Sequence, residues 1–130
     1  MQILIPAAGM GKRLDSETEN KTKAMVVVAG KTLIERCLDA AVAHPITRII
    51  LIVGYQKTHL MNFLGDSYKG VEVVYVENND YATTNNIYSV YLARDYLAED
   101  DTILIESDLI FDPKILDMVI KNKLENLAVV

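Results

Sequence analysis

Two short runs of unbroken apolar residues, Ile3–Ile5 and Ile49–Val53, constrain this chain more than any other feature. A strand with one face in water alternates apolar and polar residues. A strand with no polar positions is covered on both faces, the mark of a parallel sheet packed between helices. Each run stops at a breaker, Pro6 or Gly54. Val71–Val76 and Thr102–Glu106 read as further strands.

Helical patterns fill the intervals. Thr32 and Glu35 have the T-x-x-E spacing of a capping box, and Leu33, Ile34, Cys37, Leu38, Ala41 and Val42 then recur on one helical face. Leu60, Met61, Phe63 and Leu64 predict a short helix ended by Gly65. Ile87–Leu97 predicts another, with Ile87, Tyr91 and the Tyr88/Leu92 pair toward the core. Asp112 with Pro113 reads as an N-cap and first helical position, opening a helix to about Ile120. Residues 8–24 read as a surface loop, and Met25–Ala29 as an apolar stretch turned by Gly30 and Lys31. Strand and helix alternate without repeats or linkers. The expected architecture is therefore α/β, a mostly parallel sheet between helices, with sites at the carboxyl ends of strands.

A length of 130 residues predicts a single domain over 1–130. The net charge of −5 argues against binding nucleic acid through a basic face, so any phosphate chemistry must use a local cluster of cations. One cysteine excludes an intrachain disulfide and predicts a reducing, cytoplasmic setting. The N-terminus lacks the basic region of a signal peptide, and the apolar runs are far too short to span a bilayer, so no membrane partner is expected. Leu127-Ala-Val-Val130 resembles the opening of a buried strand. That predicts an N-terminal piece of a longer protein, whose unfinished sheet edge promotes self-association.

Three strand ends carry candidate chemistry. After the first strand, Gly9-x-Gly11 stands beside Lys12 and Arg13, with Lys23 further on. The loop fails the dinucleotide pattern because Leu14 occupies the third glycine position. Gly30-Lys-Thr32 fails the phosphate-loop pattern because Met25 stands where its first glycine would be. Gly30-Lys31 is better read as a hairpin turn leading into a helix cap. Spacing alone leaves a plain turn and an anion cradle equally open for Gly9-x-Gly11. After Thr102–Glu106 comes Asp108, a carboxylate with no capping duty, since Asp112 takes that role. A Mg²⁺ ligand shared with substrate phosphates is favoured over a turn residue. In Asn78–Ser89 one cap is needed, from Thr84 or Asn85, and the surplus amides and hydroxyls suit a base or ribose edge. His44 and His59 read as plain surface residues and Cys37 as core.

Taken together, Ile5–Leu14, Thr22–Ala24, Ala29–Ile34, Val53-Gly-Tyr55, Asn85–Ser89 and Glu106-Ser-Asp108 resemble the nucleotidyltransferases that make sugar nucleotides and CDP-alcohols. Bacterial CTP:phosphocholine cytidylyltransferases and their phosphonate-using relatives are the nearest match. The resemblance runs through essentially the whole chain. It implies a three-layer, Rossmann-like α/β/α domain of which this chain is the N-terminal, nucleotide-binding portion. It also implies roles for residues. The backbone of Ala7, Ala8 and Gly9, with Gly11 and Lys12, would hold the nucleotide, and Thr84, Asn85 and Ser89 would lie near the base. Arg13 and Lys23 would bind the triphosphate and the acceptor phosphate, and Asp108 would hold Mg²⁺. The implied reaction is attack by an acceptor phosphate or phosphonate oxygen on the α-phosphorus of CTP, releasing pyrophosphate. Sugar-1-phosphate transfer from UTP, dTTP or GTP is the near alternative, and a non-catalytic nucleotide-binding domain the distant one. Two departures stand out: Thr22 replaces the usual proline before the loop lysine, and a second metal-binding aspartate would fall beyond Val130.

Overall fold

The computed structural model describes residues 1–11 and 21–130. Its centre is β1 (Gln2–Ala7), every residue of which is buried. On one side β1 pairs in parallel with β4 (Arg48–Val53) through all six positions, and on the other with β7 (Thr102–Leu104). Beyond β4 lies β6 (Val71–Glu77), also parallel, and then the two-residue antiparallel strand β5 (Ser67–Tyr68), giving the order β5-β6-β4-β1-β7.

The unbroken apolar runs do cover both faces. Ile3, Ile5, Ile49, Leu51 and Val53 pack on one side with α1 (Leu33–Val42), α2 (Lys57–Leu64) and Leu116 of α5 (Lys114–Lys121). Leu4, Ile50 and Ile52 face the other way, onto Val90 of α3 (Asn86–Leu92), Ala93, and Tyr96 and Leu97 of α4 (Arg94–Leu97). This period-2 split makes the three-layer α/β/α arrangement.

The α1 capping box is complete. Thr32 Oγ1 accepts from the Glu35 amide, while Glu35 Oε2 accepts from the Thr32 amide at 2.8 Å. Gly65 ends α2 with its N–H on the Met61 carbonyl; α5 begins one residue later than expected, with Pro113 rather than Asp112 at its cap position, though Asp112 Oδ1 still accepts from the Lys114 amide. Cys37 is buried, and burial pushes its thiol up to about 12.

Several expectations are corrected. The helix expected over Ile87–Leu97 breaks at Ala93 and faces the sheet differently: Ile87 is 78% and Tyr91 55% exposed, whereas Ser89 and Ala93 are buried. A buried amide, Asn78, holds Ser89 and fixes that facing. The hairpin turn expected at Gly30 and Lys31 is present, one residue earlier in the chain. A 3-10 turn (Lys23–Met25) leads into β2 (Val27–Val28), which pairs only with β3 (Lys31–Thr32) across a turn with positive φ at Ala29 and Gly30, leaving both valines exposed. Of the expected surface loop, Ala8, Thr22 and Ala24 are buried, Ala24 within the α1 side of the core. Among the described residues, Leu127, Val129 and Val130 are exposed and in no strand. Of the two histidines, His59 is exposed, but His44 is largely covered and stands 3.6 Å from Asp117.

Candidate active site

The carboxyl ends of β1 and β7 enclose an open cleft of about 220 Å³. It is lined by Pro6 and Ala7 of β1, by Gly9 and Gly11 of the loop that follows, by Glu106, Ser107 and Asp108 beyond β7, and by Lys23 and Asn86. β1 is paired with β7 only through Leu4 but with β4 through Ala7, so the loop leaving it starts from a strand held to its last residue on the β4 side.

The two described glycines of the loop differ. Gly11 has φ 64, a conformation that itself favours glycine. Gly9 lies outside the left-handed region, is exposed, and a Cβ built on it would meet nothing within 4 Å. Neither backbone nor packing requires glycine at position 9. The bare backbone borders open space in the cleft, as close approach by a ligand would require.

Opposite the loop, Lys23 Nζ donates to Asp108 Oδ2 at 3.1 Å, with the two side chains 30% and 37% exposed. Asp108 is thus an exposed, paired carboxylate rather than the costly isolated one that a buried strand end implied. The 3-10 turn that presents Lys23 is held by Met25 N–H on Thr22 O and by Ala24 in the core. Glu106 lies two residues before Asp108 and lines the same cleft, accepting from Asn86 Nδ2 at 3.3 Å. Among the described residues, no cluster of three or more His, Cys, Asp or Glu side chains can hold a metal alone. One or two carboxylates facing a phosphate-sized opening is instead the donor set that Mg²⁺ takes when substrate phosphates complete its shell. Asp108 and Glu106 fit that role, and a closed all-protein site does not.

The polar segment 78–89 is mostly occupied with its own structure. Asn78 is buried; its Nδ2 donates to Thr84 Oγ1 and Ser89 Oγ, both at 3.0 Å, and its Oδ1 accepts from the Asp80 amide. Asn85 caps α3 by accepting from the Tyr88 amide, and Thr84 donates to the Asp80 carbonyl. Thr84, Asn85 and Ser89 are not among the residues lining the cleft, whereas Asn86 is.

The cleft thus gathers Ala7, Gly9, Gly11, Lys23 and Asp108 from the expected set; Lys12 and Arg13 lie outside the described residues. Asn86 and Glu106 were missed. Glu106 lies past the end of β7 and leads into the turn at Ser107-Asp108, so strand alternation does not mark it; its place just beyond a strand end is the only local signal. Asn86 follows the cap residue directly, which puts it in the first turn of a helix that begins at the cleft.

The sequence matches the model of the MobA-like NTP transferase domain over residues 3–130. The chain belongs to this family. It is 42% identical over 108 residues to choline-phosphate cytidylyltransferase of Streptococcus pneumoniae, covering 83% of this chain and 44% of that protein. Similarity to the 2-aminoethylphosphonate cytidylyltransferase of Lancefieldella rimae is 37% over 107 residues, covering 82% of this chain and 42% of the relative. A UTP–glucose-1-phosphate uridylyltransferase of Haloferax volcanii is 31% identical over 119 residues, covering 92% and 48%. The solved CTP:phosphocholine cytidylyltransferase of Streptococcus pneumoniae superposes with a TM-score of 0.70 at 39% identity, over 82% of this chain and 44% of that one. The chain therefore spans under half the length of these relatives. Membership makes it a nucleotidyltransferase domain. Among the described residues, no helix is long and apolar enough to cross a membrane.

Proposed function

We propose that the protein transfers CMP from CTP to a phosphocholine-like or aminoalkylphosphonate acceptor and releases pyrophosphate. The observation that carries this reading is the cleft itself, in which open space over the Gly9 backbone faces the Lys23–Asp108 pair. The choice of CTP and of a phosphorylated or phosphonate amino-alcohol acceptor draws on the two cytidylyltransferase relatives.

In this reading the backbone of Ala7, Ala8 and Gly9 holds the nucleoside, with Thr84, Asn85 and Ser89 shaping the wall behind it. Lys12 and Arg13 are assigned to the phosphates of the nucleotide, and Lys23 to the acceptor phosphate. An acceptor phosphate is already an anion at neutral pH, so the site needs no strong general base. Orientation and charge compensation carry the rate. Mg²⁺, held by Asp108 with Glu106 beside it, would supply charge neutralisation at the phosphates. Losing one such preorganised charge contact costs ~3 kcal/mol, a few hundredfold in rate. Lys23→Met and Asp108→Asn should each lower kcat/KM by about that factor while leaving the fold intact, because exposed ion pairs contribute only ~0–1 kcal/mol to stability.

The test is pyrophosphate release by the intact protein with CTP and a panel of acceptors, repeated with UTP, dTTP and GTP. Turnover with CTP and a phospho-alcohol or phosphonate is expected; none with any such acceptor overturns the reading. A second reading, sugar-1-phosphate transfer, is favoured by the uridylyltransferase relative, which covers more of the chain. Turnover with UTP and a sugar phosphate would select it. We also infer a cytoplasmic setting and self-association through the open edge of β7.

A further inference from the structure

Gly54 ends β4 at the point where three strand-end loops meet. The Tyr55 N–H donates to the Ala8 carbonyl at 3.0 Å, tying Gly54's neighbour to the glycine loop. The Asn78 N–H donates to the Val53 carbonyl at 2.8 Å, tying the loop after β6 to the same point. Gly54 itself is buried, and its φ is outside the left-handed region, so its backbone conformation is open to any residue. Space is what excludes a side chain. A Cβ at position 54 would lie 2.8 Å from Tyr81 Cβ, 2.9 Å from the Asn78 carbonyl oxygen and 3.0 Å from Ala8 Cβ. None of these atoms is the far end of a flexible chain; one is backbone and two are Cβ atoms fixed to it.

We propose that Gly54 is a positioning residue for nucleoside recognition: its missing side chain sets the distance between the Ala8–Gly9 backbone and the Asn78–Ser89 wall. The proposal rests on the reading that these two segments hold the nucleoside. A methyl group at 54 must move at least one of them. Displacing Ala8 carries Gly9 with it through the chain, and displacing Asn78 disturbs the amide that holds Thr84 and Ser89. The edge-to-face contact of Tyr55 with Tyr81, 6.0 Å between ring centroids, spans the same gap and shifts with it. Lys23 and Asp108 hang from other elements, the 3-10 turn and the segment after β7, and keep their places. Gly54 therefore acts on the nucleoside part of the ligand and not on its phosphates.

Calorimetric titration of the protein and its Gly54→Ala variant with CTP and with inorganic tripolyphosphate, both with Mg²⁺, separates the two parts. Gly54→Ala should weaken CTP at least tenfold and leave tripolyphosphate within twofold. A merely structural role would weaken both ligands together. Parallel weakening, or no change in either, overturns the proposal. Unaltered protein that binds CTP no tighter than tripolyphosphate refutes the nucleoside reading, and the proposal with it. If Gly54→Ala melts below the assay temperature, Ala8→Gly/Gly54→Ala, which removes the 3.0 Å contact, is compared with Ala8→Gly alone, and the same split decides.

Discussion

Thr22 shows what one residue can reveal. It precedes Lys23 in an extended conformation, φ −76 and ψ 162, and is 1% exposed. Among the described residues, its Oγ1 is buried without a hydrogen-bond partner. A buried polar atom left unpaired costs ~1–3 kcal/mol. Thr22→Val keeps the shape, removes the orphan hydroxyl, and should raise stability by about 1 kcal/mol in urea unfolding; an unchanged or lower midpoint would count against it. Sequence alone marked this position only as a departure from the usual proline. The φ of −76 lies within the range a proline ring adopts, so the fold keeps the backbone shape and not the residue. Other single residues were more legible: Cys37 fell on the apolar stripe of α1 and is buried there, and Asn85 is the cap of α3.

At the scale of elements, α1 is the best anchored. Its N-terminus carries the capping box, and its middle carries Asp39, which accepts from Lys31 of β3, from Tyr68 of β5 and from Lys69 beyond it. Burial alone would raise the Asp39 carboxyl, but these three donors outweigh it and hold it well below the ordinary 3.8. Glu35 is lowered from 4.5 chiefly by the Thr32 amide and then by its hydroxyl. Both folded values lie below the unfolded ones. The stabilisation is therefore complete above about pH 4.5 and is lost as pH falls through the lowered folded values. Asp39→Asn should cost ~1.5–3 kcal/mol at pH 6, the worth of hydrogen bonds to a charged group, with the deficit narrowing by pH 3. A deficit independent of pH in urea unfolding would contradict this. The capping box was legible because T-x-x-E is a local pattern. The Asp39 contacts were not, because they join residues 8 and 30 positions apart. The facing of α3 failed for a related reason. Periodicity located its apolar stripe, but the buried Asn78 amide decided which side turned inward.

For the whole molecule, the sheet order was legible in kind but not in full. Apolar runs bounded by Pro6 and Gly54 identified the covered strands. The two-residue strand β5 went unseen because its signal is a turn, with positive φ at Lys69 and Gly70, rather than an apolar run. At the other edge, among the described residues, β7 has no second strand partner, and its Leu104 and the following Leu109 and Ile110 are exposed. A further apolar groove of about 940 Å³ lies between β7, α5 and residues 122–129. Unprotected edges pair with other chains. Sedimentation at rising concentration should show association that Leu104→Lys weakens; a monomer throughout would refute it.

The place of β1 at the middle of the sheet has a consequence for how the molecule comes into being. Its partner β4 ends at Val53, but its other neighbour begins only at Thr102, and Gln2 pairs there with Thr102 itself. At synthesis rates of roughly 5–20 residues per second, the first strand waits several seconds for its second flank. The pairing then closes across 100 residues, the Gln2 side chain bonding Thr102 Oγ1 at 3.0 Å. Contacts of such sequence separation form slowly. Of the described strands, the one that leads into the cleft precedes both its neighbours and gains its second flank from the later of them.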